Sequence, residues 1–200
     1  MKKVLLRAPL LTNSGYGVHS RQVFKWLYER DDIELHCEVL HWGLCSWIVN
    51  PDYEDGLIGA IMERTAPQQN NDYDISFQVQ LPDEWDTSLA KKNVGVTAVV
   101  ETDICNLQWV NKVNEMDHII VPSNFTKSVL ENTASFVRIV TPVTVIPEWF
   151  NQSIINKKEL QDCYDERYNF STKNNFLVVV YVSTSDFRTW CVICCSCSAH

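Results

Sequence analysis

The sequence predicts an α/β fold, a Rossmann-like parallel sheet flanked by helices. Three observations carry this expectation. Apolar runs of strand length recur from residue 2 to residue 147, amphipathic runs of helical period separate all but one neighbouring pair of them, and no repeat of 20–50 residues runs through the chain. Strands joined through helices imply right-handed crossovers and hence parallel pairing.

The elements follow in order. "KKVLLRA" is an apolar run suited to a buried strand, and "HSRQVFKWLYE" then places Val23, Trp26 and Leu27 at helical spacing. "IELHCEVL" alternates as a strand does, and "YEDGLIGAIMERT" reads as a helix after the turn-forming "NPD". "DISFQVQ" and "NVGVTAVV" are two strands with no helix between them. "NLQWVNKVNEM" is a helix, "HIIVPS" a strand, "NFTKSVLEN" a helix, and "VTVIP" closes the series. From Asn151 to Asn175 the chain turns polar and charged, after which "FLVVVYV" begins a new buried strand. The expected division is a Rossmann-like domain over 1–150, a linker over 151–175, and over 176–200 the aborted start of a second domain with a Cys-rich tail.

Composition narrows the function classes. With 200 residues, 46% hydrophobic residues and seven tryptophans, the chain has enough apolar side chain for a sizeable core. A net charge of −8 and a pI near 5.1 argue against a nucleic-acid partner, which needs a clustered basic surface. The apolar run near the start is broken by Arg7 and Pro9, which argues against a signal peptide, and no apolar stretch reaches the ~18 residues of a membrane span. The cytoplasm is the expected compartment. Cys37, Cys45, Cys105 and Cys163 stand singly, as reduced buried thiols do. Cys191, Cys194, Cys195 and Cys197 crowd the tail without the second ligand pair of a structural zinc site, so no metal is expected.

In open parallel sheets ligands bind beyond the carboxyl ends of the strands. The residues there are the "NSGYG" stretch, His41-Trp42, Gln80-Leu81-Pro82, Glu101-Thr102-Asp103, Ser123-Asn124 and Pro147-Glu148. A glycine loop over Ser14, Gly15, Tyr16 and Gly17 that leads into a helix offers backbone N–H groups and a positive helix end to a phosphate or sugar oxygen. A tight turn with no ligand is the alternative. Gly15-x-Gly17-x-x-Ser20 is close to the dinucleotide fingerprint, but "PLLTNS" separates it from the strand, which makes the loop too long. Asp72-Tyr-Asp74 precedes its strand and reads as solvated turn carboxylates, and His36 and His118 read as packed or edge residues. His19 opens the first helix beside the glycines, where it can meet a ligand or simply start a helix.

Three stretches, "VLLRAPLLTNSGYGVHSRQVFKWL", "GVTAVVETDICNLQWVNKVNEMDHIIVPSNFTKSVL" and "VTVIPEWFN", resemble the N-terminal half of the family 4 (group 1) glycosyltransferases of the two-Rossmann-domain GT-B type, particularly their bacterial and phage branch. The resemblance covers about Met1 to Val182. It implies a retaining transferase that takes a sugar from a nucleotide-sugar and holds an unknown acceptor mainly on this domain, with no metal or separate cofactor. It implies His19 and Glu101 as catalytic residues and Ser14, Gly15, Tyr16, Gly17, Thr102 and Ser123 as donor-binding residues. The donor half of the family does not follow "FLVVVYV", so the chain is expected to be inactive alone. A nucleotide- or dinucleotide-binding Rossmann protein, with Glu38 as its weak acidic signal, and a non-catalytic interaction domain are the other two readings.

Overall fold

The computed structural model describes residues 1–65, 72–134 and 137–149, together with the backbone of two later strands, 176–181 and 190–195. The chain divides into two compact units, Met1–Trp149 and Phe150–His200.

In the first unit the order is β1 (Lys2–Ala8), α1 (Gly15–Tyr28), β2 (Ile33–Val39), α2 (Leu57–Glu63), β3 (Tyr73–Val79), β4 (Ala90–Val96), α3 (Leu107–Glu115), β5 (His118–Val121), α4 (Asn124–Thr133) and β6 (Val143–Val145). The six strands form one sheet in the order β2-β1-β3-β4-β5-β6, and every pair is parallel. This is the Rossmann-like α/β fold the alternation predicts.

Register sorts the side chains into two cores. Val4 and Leu6 of β1 align with Leu35 and Cys37 of β2 and with Ile75 and Phe77 of β3, and Phe77 aligns with Val94 of β4. Because alternate strand residues share a face, these line one side of the sheet, where Phe24 and Leu27 of α1 and Ile58 and Ile61 of α2 pack. Gly95, Ile119 and Val143 align on the other side, under Trp85, Val113 of α3 and Val129 and Leu130 of α4.

The helix-free pair is β3–β4. Its connection is a 3-10 turn, Pro82–Glu84, and Trp85 takes the place of a helix by lying on Gly95. A Cβ at Gly95 would stand 2.6 Å from the Trp85 ring, so this close approach requires glycine. Below the ring runs a buried polar chain in which Ser76 Oγ donates to Asn93 Oδ1 at 2.7 Å and Gln78 Nε2 donates to Ser76 Oγ at 3.1 Å. Buried polar groups are tolerated when paired in this way, and the pairs fix the β3–β4 register.

Three boundaries differ from the sequence reading. Helix α1 begins at Gly15 rather than near His19, so the two glycines are helical residues and not a loop. Strand β4 starts at Ala90 and ends at Val96, because Lys91 and Lys92 are drawn onto the sheet edge by Asp74 and Asp117 while the chain turns away at Thr97. In the second unit, Phe176–Tyr181 (β7) is a strand as expected, and it pairs antiparallel with Trp190–Cys195 (β8), a second strand within the Cys-rich tail where the sequence reading named none. Cys197 and the linker 151–175 lie outside the described residues.

Candidate functional site

Strand order points to the candidate site. The chain leaves β1 toward β2 on one side and leaves β3 toward β4 on the other, so the loops beyond the carboxyl ends of β1 and β3 diverge. Such a divergence is where open α/β sheets form their ligand crevice. The segments beside it are the β1–α1 loop, the long loop 40–56 after β2, Gln80 after β3, and residues 97–104 after β4.

Ser14 caps α1, its Oγ accepting the Gly17 N–H at 2.9 Å and pairing with Thr12 Oγ1 at 2.8 Å. That answers which group Gly17 approaches. A Cβ on Gly17 would stand 2.2 Å from the Thr12 carbonyl oxygen and 2.7 Å from Thr12 Oγ1, so the close approach is to the chain's own loop. Gly15 differs, since nothing lies within 4 Å of its Cβ position. The Gly17 N–H is therefore spent on the cap, while the N–H groups of Gly15 and Tyr16 have no hydrogen-bond partner among the described residues. Those two donors, at the positive end of a helix, are what the first turn offers to an anion or a sugar hydroxyl.

Tyr16 ties three loops together. Its ring stacks on Trp42 from the loop after β2, with centroids 4.1 Å apart, and its hydroxyl accepts the Ala98 N–H at 3.0 Å and pairs with Thr97 Oγ1 at 3.1 Å. Burial is the main reason its hydroxyl is harder to ionise than a free tyrosine's, and the nearby Glu101 carboxylate adds to it. Thr97 Oγ1 also accepts the Val99 N–H at 3.2 Å, and Val99 has a φ of 59°. A β-branched residue in the left-handed region is strained, and here the hydrogen bonds around Thr97 hold it there.

Arg21 secures the β1–α1 loop from below. Only 5% exposed, it donates from Nη1 to the carbonyls of Leu10 and Thr12, both at 3.1 Å, and from Nε to Glu54 Oε1 at 2.8 Å. Asn13 and Ile48 add backbone bonds between this loop and the loop 40–56. Gln80 is fully buried beside them; its Nε2 donates to the Glu84 carbonyl and its Oε1 has no partner among the described residues.

The remaining sequence candidates fall as follows. His19 is buried against the segment after β6, its Nδ1 3.4 Å from Glu148 Oε1; burial lowers its pKa and Glu148 opposes that in part. Glu101 is exposed and reaches Tyr16 through its charge. Thr102 is exposed and donates to the Ile104 carbonyl at 2.6 Å, and Ser123 caps α4 by accepting the Thr126 N–H at 3.0 Å. Neither bonds to the first turn of α1 among the described residues. The structure thus gathers Ser14, Gly15, Tyr16, Gly17 and Glu101, and leaves Thr102 and Ser123 to local duties. Glu38 forms an ion pair with Arg7 at 3.1 Å on the sheet face. Asp74 holds Lys91, His36 meets Glu34 and His118 meets Thr144 Oγ1, all structural roles.

Sequence reasoning missed Arg21, Trp42 as the partner of Tyr16, and the pairing of His19 with Glu148. A strand-end histidine-tryptophan pair was the only signal for Trp42. Among the described residues no cluster of His, Cys, Asp or Glu could hold a metal, and no helix is long and apolar enough to cross a membrane. No known protein family and no curated protein matches the sequence.

Proposed function

We propose that this chain is the acceptor-side half of a retaining glycosyltransferase that uses a nucleotide-sugar donor, with the first turn of α1 facing the donor diphosphate. The observation that carries the reading is the pair of unpartnered N–H groups, Gly15 and Tyr16, at a helix start beside the divergence of β1 and β3. As a glycosidic bond to a nucleoside diphosphate breaks, negative charge grows on the leaving phosphate, and fixed N–H donors lower the barrier. Glu101, exposed beside the turn, is the polar group available to sugar hydroxyls, His19 lies buried further along α1 against Glu148, and Ser14 and Gly17 serve by shaping the turn.

A second reading, a non-catalytic interaction domain, is favoured by one observation: Leu44, Val49, Ile104, Phe125, Ile146 and Trp149 are all exposed in segments beyond strand carboxyl ends. The dinucleotide reading relies on Glu38, whose carboxylate pairs with Arg7 at 3.1 Å. Tryptophan fluorescence separates these readings, because Trp42 stacks on the turn in question. A saturable change with a nucleoside diphosphate, matched by the corresponding nucleotide-sugar, supports the transferase reading. Tighter binding of a nicotinamide dinucleotide supports the dinucleotide-binding reading, and no saturable change with any of them supports the interaction domain.

A further inference from the structure

Helix α1 carries a second row of polar residues away from its first turn. His19, Gln22 and Lys25 recur every third residue and so share a face. All three meet Glu148 or Trp149, where the chain leaves the first unit. Gln22 exchanges two hydrogen bonds with one residue: its Nε2 donates to the Trp149 carbonyl at 2.7 Å, and its Oε1 accepts the Trp149 N–H at 2.9 Å. Lys25 Nζ stands 5.5 Å from the centroid of the Trp149 ring, and His19 Nδ1 stands 3.4 Å from Glu148 Oε1.

What holds this segment differs in kind from what holds the sheet. The last ladder bond is Ile146 N–H to the Val121 carbonyl, and Pro147 then contributes no N–H. Residues 146–149 are all exposed, Trp149 at 58%. Among the described residues no buried apolar side chain anchors them, and their contacts are with the three α1 residues. Exposed hydrogen bonds without buried contacts mark the low end of local stability.

We propose that His19, Gln22 and Lys25 form a releasable latch, which lets residues 148 and 149 open from α1 about the Pro147 hinge while the sheet stays folded. Gln22 is the central part, since among the described residues its amide is the only group that pairs with the backbone there. Opening uncovers His19, so the exposure of a histidine next to the candidate site depends on the state of the exit segment.

Amide hydrogen exchange on the full 200-residue chain tests this, with Thr97 and Ile119 as reporters of the sheet, because their N–H groups bond to Ile120 and Pro142 carbonyls. Gln22→Ala is expected to speed exchange at Trp149 about tenfold or more, since two hydrogen bonds are lost, and to leave Thr97 and Ile119 unchanged. Gln22→Glu keeps the acceptor and loses the donor, and is expected to fall between wild type and alanine. Should the alanine variant fail to fold, the glutamate variant reads the same contrast. An unchanged Trp149 rate in these variants overturns the proposal, as does a rise at Trp149 matched by Thr97 and Ile119, which would mean that the segment opens only with the whole sheet.

Discussion

At the amino edge of the sheet, exposed ion pairs hold the turns: Lys91 with Asp74 at 2.9 Å, Lys92 with Asp117 at 2.7 Å and Arg30 with Asp32 at 2.8 Å. At the carboxyl edge, buried or half-buried polar groups with several partners each do this work, Arg21 with three, Tyr16 with two and Thr12 with two. Exposed pairs contribute about 0–1 kcal/mol each and tolerate loss. Buried polar groups cost several kcal/mol when their partners are removed, and stay only where their geometry is fully met. The amino edge is therefore a solvated end, and the carboxyl edge is a preorganised surface on which loop positions are set to within a hydrogen bond. The strained φ of Val99 lies at that second edge, and so does Gln80 Oε1, the exception there, with no partner among the described residues.

The largest test of this contrast is Arg21→Ala. It orphans the carbonyls of Leu10 and Thr12 and the Glu54 carboxylate, and is expected to cost about 3 kcal/mol in urea unfolding. Lys91→Ala at the opposite edge is expected to leave the urea midpoint close to that of wild type. Equal costs would erase the distinction.

Next come the glycines. Gly17→Ala drives a methyl group into the Thr12 carbonyl and is expected to cost about 2–3 kcal/mol, whereas Gly15→Ala meets open space and is expected to be neutral or to stabilise by up to about 1 kcal/mol. Thermal melts of the two variants check the ordering, and Gly17 tolerating alanine as Gly15 does would refute the close approach.

Tyr16→Phe keeps the stack on Trp42 and deletes the hydroxyl that holds Thr97 and Ala98. The expected cost is about 1–2 kcal/mol, with faster amide exchange at Ala98 and Val99 as the local sign. A cost without that local change would place the role of Tyr16 elsewhere.

The smallest effect is on pH dependence. Burial lowers the pKa of His19, so the unfolded chain binds the proton more readily than the folded one, and stability rises with pH through that range. The contribution is present above about pH 6.5 and is lost as the pH falls below it. Wild type is thus expected to lose stability on acidification that His19→Gln retains, read from urea midpoints at pH 7.5 and 5.5. Identical pH profiles would contradict the assignment.

How far the fold was legible follows from which forces set each part. Strands β1, β2, β3 and β5 stood out because apolar runs or alternation report burial directly, and α3 and α4 because amphipathic runs lie between the strands; their caps, Asn106 and Ser123, emerge only in the structure. The start of α1 was misjudged because two glycines suggest a loop; only the bond from the Gly17 N–H to Ser14 Oγ reveals a cap. In the candidate site, the position of Gly15 and Tyr16 beyond the carboxyl end of β1 was legible. Arg21 was not, because a single arginine on a helix reads as a solvated charge and its buried state depends on carbonyls that only the folded loop presents. The pairing of His19 with Glu148 spans nearly the whole unit, and no local pattern encodes it.

The central claim, that the carboxyl edge presents the first turn of α1 to a phosphate-bearing ligand, is tested most directly by mapping amide chemical shifts while uridine or guanosine diphosphate is titrated into the chain. The account predicts the largest saturable shifts at the Gly15 and Tyr16 N–H groups, followed by Ala98 and Glu101, with the amino-edge residues Asp74 and Lys91 unmoved. Shifts absent from Gly15 and Tyr16, or centred on the amino edge, would contradict it.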